Sequence, residues 1–332
     1  MTTIALVGAG AVGTRAARQL VDTPGIKRLL IADRSRAQAR DLADRVGGEA
    51  VSLSADGLMG ANAVALAIPS SAAARLAKKI ISTGVPVATA TDDETGTAAL
   101  FALNGLAKKN STQILVGCAL LPGLGDVLAR HGANALERAD EVQAARVGAA
   151  GPTCAASVRR SRREPAREWS NGEWQTSHRS GAQLVWFPEP IGEQVCEQVS
   201  LGVENLRRAV PEATFVLSRA GEAPPRRSSF SFRGRRETGD LWAGVRIEVL
   251  GWQGSARASI VYGAVEHPAA AAATVLAIAT ARLAGLLPAV KLEQTKPGAW
   301  SLGEAIDPTS FLAELAERGV RVAVFEGVAG SR

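Results

Sequence analysis

The stretch GAGAVG spaces Gly8, Gly10 and Gly13 as G-x-G-x-x-G. It follows a short apolar run, TIALVGA, and leads into residues 12–22, which carry a helical pattern. In a strand–turn–helix, Gly8 permits the tight turn, Gly10 lets backbone approach a pyrophosphate, and Gly13 lets helix and strand pack closely. Ala11 and Val12 open the helix, whose N-terminal N–H groups and partial positive charge face the phosphates. Asp33 lies 20 residues beyond Gly13, at the end of a second strand pattern, RLLIAD. A carboxylate there accepts hydrogen bonds from ribose hydroxyls and favours NAD. Arg34 and Arg36 follow at once and suit a 2′-phosphate, which keeps NADP open.

Three further stretches end apolar runs. AIPSS (67–71) offers Ile68, Pro69 and Ser70 near the nicotinamide half of a dinucleotide, with Ser70 a candidate helix cap. TATDDE (89–94) places Asp92 and Asp93 either as caps of the next helix or as groups facing substrate. GCALLPGLGD (117–126) is more sharply punctuated. Leu121, Pro122 and Gly123 are expected to bring backbone close to the nicotinamide, with Asp126 in the first turn of an exit helix, a favourable place for an acid. The other reading of this stretch is a domain hinge with a capped helix.

These residues need a frame. Apolar runs at 63–69, 85–90 and 112–117 alternate with helical patterns at 35–46, 71–83 and 94–109. Such alternation implies a parallel sheet covered on both faces. The texture changes beyond about residue 138: all six Trp and the single Tyr lie after 168, and of seven Phe only Phe101 lies before it. Strand patterns at 142–148, 213–218, 228–233, 241–251 and 255–263, a hairpin turning near Gln253-Gly254 and an alanine-rich helix over 268–286 read as a mixed sheet with helices. The expectation is α/β: a Rossmann domain over 1–135 and an α+β substrate and oligomerisation domain over 136–332, whose last helices can pack back on the first.

Composition bounds the rest. At 332 residues and 46% hydrophobic, the chain can bury a real core, and no apolar run is long enough to span a bilayer. The three cysteines, Cys118, Cys154 and Cys196, are widely spaced without CxxC, which argues against a disulfide framework or zinc site and suits a cytoplasmic setting. The N-terminus runs straight into a strand with no basic leader. The net charge of +6 is mostly arginine, 31 of 38 basic residues, and the dense run RRSRREPAR (159–167) is interrupted by Glu164. A solvated loop accounts for it, so neither a nucleic acid nor a membrane is an expected partner.

Taken together, GAGAVG, ADRS, AIPSS, TD and G-x-x-L-x-PGLGDVLA resemble the saccharopine dehydrogenase-like oxidoreductases. WFPEPIG (186–192), GVRIEVLGWQG before the alanine-rich helix, and IDPTSFLAELAERGVRV extend the likeness more loosely along the chain. The resemblance implies a Rossmann domain, a partner domain giving substrate contacts and often a dimer surface, and hydride transfer at an amine or imine carbon of an amino-acid-like substrate. A homodimer through the second domain follows from it. An enoyl or carbonyl reductase on the same fold, or a dinucleotide-binding regulator without catalysis, are the alternatives.

No residue is fixed as catalytic acid or base. The only tyrosine, Tyr262, has Glu266 four residues on, so no Tyr-x-x-x-Lys pair exists. No lysine occurs between Lys109 and Lys291, so a carboxylate clamp in that region must be Arg or His. Of three histidines, His131 lies in the exit helix, His267 at the start of the alanine-rich helix, and His178 in a polar loop where it is a candidate substrate contact.

Overall fold

The structure, a computed structural model, describes residues 2–54, 56–177, 181–222 and 242–328. Its first half alternates as the apolar runs require: β1 (Thr2–Val7), α1 (Ala11–Val21), β2 (Ile26–Ala32), α2 (Arg36–Val46), β3 (Glu49–Ala50), β4 (Ala63–Leu66), α3 (Ser70–Ile81), β5 (Val87–Thr89), α4 (Glu94–Phe101), α5 (Asn104–Lys109), β6 (Gln113–Val116) and α6 (Leu124–Asn134). Strand order 3-2-1-4-5-6 is all parallel, with the switch between β1 and β4. That crevice is where ligands bind in open α/β sheets. The single helix expected over 94–109 is broken near Leu103.

The second half runs β7 (Arg138–Val147), α7 (Pro152–Ser161), β8 (Ala166–Ser170), β9 (Glu173–Ser177), β10 (Gln183–Phe187), β11 (Gly192–Val199), α8 (Val203–Ala209), β12 (Phe215–Gly221), β13 (Ala243–Gln253), β14 (Ala256–Glu266), α9 (Pro268–Leu283), β15 (Gly298–Ser301), α10 (Leu302–Ala305), α11 (Pro308–Glu317) and β16 (Val322–Val328). The second sheet is mixed, ordered β10-β11-β12-β7-β13-β14-β16, with β8 also pairing β12. The chain is therefore α/β, with a parallel Rossmann-type sheet and a second mixed sheet. The β13–β14 hairpin turns through Gly254 at φ +60°, as its sequence suggests. Expected strand 228–233 and His178 lie outside the described residues.

Two features tie the halves together. β15 joins the first sheet beside β6, where Asn104 Oδ1 at the start of α5 accepts the Ala299 N–H. α9 packs along α1 and over β4 and β5, so the alanine-rich helix belongs to the first sheet's cover. Its alanines suit that place: 13 of its 16 residues are buried, and small side chains let helix lie close to helix. α6 in turn packs on the inner face of the second sheet, where Val245, Ile247 and Val249 are fully buried.

The run RRSRREPAR is not one solvated loop. Arg159 to Ser161 end α7 and Ala166 starts β8. Arg162 pairs with Glu197 and Glu222, and Arg167 with Glu94. Among the described residues, no helix is long and apolar enough to cross a membrane.

Candidate functional site

The three glycines of the first loop differ in what holds them. Gly8 has φ +108°, and a Cβ there would fall on the Ala67 carbonyl oxygen. A Cβ on Gly13 would fall on the Gly8 carbonyl oxygen, so α1 closes against β1 only with glycine. Gly10 has ordinary extended backbone, and a Cβ on it would meet nothing within 4 Å. The protein's own packing explains Gly8 and Gly13 and leaves Gly10 without a reason inside the chain. Gly10 is the exposed N-cap of α1, with no side-chain cap and no acid in the first turn, so the helix end presents free N–H groups and positive partial charge.

Asp33 anchors this loop. Its Oδ2 accepts the Ala9 N–H at 2.8 Å and its Oδ1 accepts the Ser35 N–H at 2.7 Å. Each oxygen keeps capacity for a further donor. Arg34 and Arg36 are exposed beside it.

Gly10, Ala11 and Val12 form one wall of a cleft of about 190 Å³. Ile68, Pro69 and Ser70 form the next; Pro69 is the N-cap residue of α3, and Ser70 is its first helical residue rather than the cap. The far walls come from Ala119 and Leu120, from Ala150 to Cys154 at the start of α7, and from Pro268 and Ala272 of α9. The lining is largely alanine, proline and glycine, which leaves room for a flat ring system to lie against backbone.

The crossover stretch sits differently from its sequence expectation. Ala119 and Leu120 line the cleft; Leu121, Pro122 and Gly123 do not and are buried. Gly123, at φ +124°, folds so tightly that a Cβ would collide with the backbone of Ala119. Asp126 is fully buried, and its Oδ2 accepts the Gly123 N–H at 3.0 Å. Burial pushes the Asp126 carboxyl well above its ordinary range, against the hydrogen bond from the Gly123 N–H. The PG pair thus serves the sharp, Asp126-capped entry into α6.

TATDDE divides between its two readings. Asp93 caps α4, its Oδ1 accepting the Gly96 N–H at 2.7 Å. Asp92, 9% exposed, lines the cleft. Its Oδ2 lies 4.0 Å from Nη1 of Arg146, a residue from the end of β7 that is 3% exposed and also lines the cleft. Arg146 donates through Nη1 to the Leu121 carbonyl (2.7 Å) and through Nη2 to the Gly148 carbonyl (3.3 Å) and Cys154 Sγ (3.2 Å). Burial raises the Cys154 thiol above its usual range despite the adjacent guanidinium, so it is a neutral thiol. Arg146 and Cys154 were not singled out in the sequence. The only signal was the missing lysine, which named the residue class and not the residue.

The remaining candidates are placed elsewhere. His267 caps α9, with Nδ1 accepting the Ala269 N–H at 3.3 Å. His131 packs 5.5 Å from the Tyr262 ring, and burial lowers its pKa. Cys118 is fully buried beneath the cleft floor, where burial raises its thiol far above the usual range. Neither lysine nor histidine lines the cleft among the described residues.

The family model of shikimate / quinate 5-dehydrogenases matches residues 1–83, the strand–helix unit that carries the glycine loop. No curated protein matches the chain. In the solved structures, saccharopine dehydrogenase (L-Glu forming) from Saccharomyces cerevisiae aligns over 98% of this chain and 100% of its own, at 14% identity and a TM-score of 0.72. A probable dehydrogenase from Thermotoga maritima aligns over 97% and 98%, at 13% identity and 0.53. A scyllo-inositol dehydrogenase from Lactobacillus casei aligns over 96% of both chains, at 12% identity and 0.50. At these identities the likeness is one of fold: a Rossmann sheet followed by a second sheet, arranged along the whole chain as in the yeast enzyme.

Proposed function

We propose that the chain is an NAD(P)-dependent oxidoreductase of saccharopine dehydrogenase-like type, moving a hydride to or from an amine or imine carbon of a small carboxylate-bearing substrate. The observation that carries this reading is Gly10. Its missing side chain leaves open space at the uncapped N-terminus of α1, in a cleft at the sheet's switch point, while its neighbours Gly8 and Gly13 are required by the chain itself. A pyrophosphate fills such a space.

In this reading Gly8 to Gly13 hold the pyrophosphate, Asp33 the adenosine ribose, and Ile68, Pro69 and Ser70 the nicotinamide half. The dinucleotide supplies the hydride or its acceptor, which leaves orientation and electrostatics to the protein. In the same reading the walls of Ala119, Leu120, Pro268 and Ala272 would keep water from the reacting face. The same reading takes residues 1–135 and 136–332 as two domains and places the enzyme in the cytoplasm. It pairs two copies through the second domain, where Leu184, Trp186, Val195 and Val324 are exposed apolar side chains.

Fluorescence titration of the protein with NADH and NADPH tests the reading. Micromolar binding of at least one is expected, with NADH preferred. Asp33→Ala should shift the ratio toward NADPH and, because Asp33 ties Ala9 and Ser35, lower stability by about 1–3 kcal/mol. Absence of binding to either dinucleotide by folded wild-type protein would refute the assignment.

A further inference from the structure

We propose that Arg146 and Asp92 are the two poles of a clamp for the α-amino-acid group of the substrate, the guanidinium taking the carboxylate and the Asp92 carboxylate taking the amine. This rests on the dinucleotide reading for its chemistry but not for its geometry. Both side chains line the same cleft and both are nearly buried. They face each other across 4.0 Å, close enough to balance charge and too far to hydrogen-bond.

Each pole keeps unused capacity. Arg146 is fixed by the carbonyls of Leu121 and Gly148 and by Cys154 Sγ, which leaves Nε buried and without a partner among the described residues. A buried donor without an acceptor is costly and marks a place where a ligand can supply one. Asp92 is engaged by the Cys154 thiol and by this loose ion pair, and it accepts no N–H at hydrogen-bond distance among the described residues, which leaves its carboxylate room for an ammonium donor. Its neighbour Asp93, by contrast, is fully used as a cap.

The surroundings add to the carboxylate pole. α7 begins beside Arg146 with Gly151 as an N-cap that has no side chain, and no acid stands in its first turn. Thr153 and Cys154, the residues after Pro152, line the cleft there. The guanidinium is therefore joined by the positive end of a helix. A substrate carrying one charge would satisfy one pole only. A zwitterion satisfies both, which selects an amino acid over a neutral carbonyl compound.

Full-length wild-type protein, Asp92→Asn, Arg146→Lys and Arg146→Met are compared by calorimetric titration with L-glutamate, L-alanine and L-valine. The 2-oxo acids with the same side chains are run beside them, all with and without NADH. At least one amino acid should bind wild type. Asp92→Asn should weaken that amino acid at least tenfold and its 2-oxo acid less than threefold, since the oxo acid has no ammonium to lose. Arg146→Met should weaken both at least tenfold, and Arg146→Lys should fall between. Equal weakening of both acids in Asp92→Asn would overturn the clamp. So would unchanged binding in Arg146→Met, or no binding of any acid to wild type. Arg146→Met also loses the contacts to Leu121 and Gly148, so Asp92→Asn decides if that variant fails to fold. Loss of NADH binding alone overturns the oxidoreductase reading, and the titrations run without NADH then decide the clamp.

Discussion

Two loops leave the carboxyl ends of strands in the same sheet, and both carry glycine where the chain turns into a helix. The loop after β1 keeps its middle glycine open to the cleft, with nothing within 4 Å of where a Cβ would stand. The loop after β6 closes on itself: Gly123 lies against Ala119, and Asp126 and Arg146 grip the loop from within. Glycine in the first makes room for something outside the chain. In the second it makes room for the chain. The difference shows that a glycine's role is read from what its absent side chain would touch, not from the spacing around it.

The comparison can be broken most directly at Gly123. Gly123→Val puts a branched side chain at φ +124° and onto the Ala119 backbone, and should cost about 3 kcal/mol or more in stability. Turnover per folded molecule, if any remains folded, should be near normal. Denaturant unfolding and the folded fraction check this, and a stable variant would show that the loop has another conformation to adopt.

Gly10→Val sharpens the opposite side. Its melting temperature should stay near that of wild type, because a Cβ there meets no atom within 4 Å. NADH affinity should fall about 100-fold or more, or roughly 2.7 kcal/mol. Calorimetry and a melting curve on one preparation read both quantities. Equal loss of stability in Gly10→Val and Gly123→Val would erase the distinction.

The smallest effect is expected at Asp126→Asn. Oδ1 of Asp126 and Oδ1 of Asn205 are buried without partners among the described residues, and the two side chains are within hydrogen-bonding reach. An Asn in place of Asp126 keeps an acceptor for the Gly123 N–H and brings no charge to bury, so stability near pH 4 should change by about 1 kcal/mol or less. The folded carboxyl titrates well above the ordinary 3.8, so the folded protein keeps a proton that the unfolded chain releases. This contribution is whole below that value and is lost as pH rises toward the folded one. The variant should therefore gain on wild type with rising pH from about 4 upward. A constant difference across pH would mean that Asp126 is ionised in the fold.

The glycine loop and the first sheet were legible because their signals are local. Spacing, an apolar run and an acid at the next strand end all fall within about thirty residues. Arg146 was not, because it is one arginine among 31 and gains meaning only where β7 ends opposite Asp92. TATDDE was legible to the point of two adjacent acids; only the Gly96 N–H bonded to Asp93 tells the cap from the cleft residue. Strand β9 escaped because its exposed polar residues leave no apolar alternation, and β10 because apolar Leu184 and Trp186 stand on its exposed face. Leu121 to Gly123 were placed at the right crossover, but which residues of a seven-residue loop face the cleft is set by Arg146 and Asp126, outside any local pattern.

One earlier feature bears on how the molecule is made. The first sheet takes its edge strand from Gly298–Ser301 and the cover beside α1 from Pro268–Leu283. A ribosome has therefore released the glycine loop long before the pieces that complete its sheet exist. Until residue 301 emerges, β6 has an open edge and α1 an unshielded apolar flank, the kind of surface that chaperones hold. The first half cannot finish first and wait for its partner; both halves reach their final form together, once residue 301 has emerged.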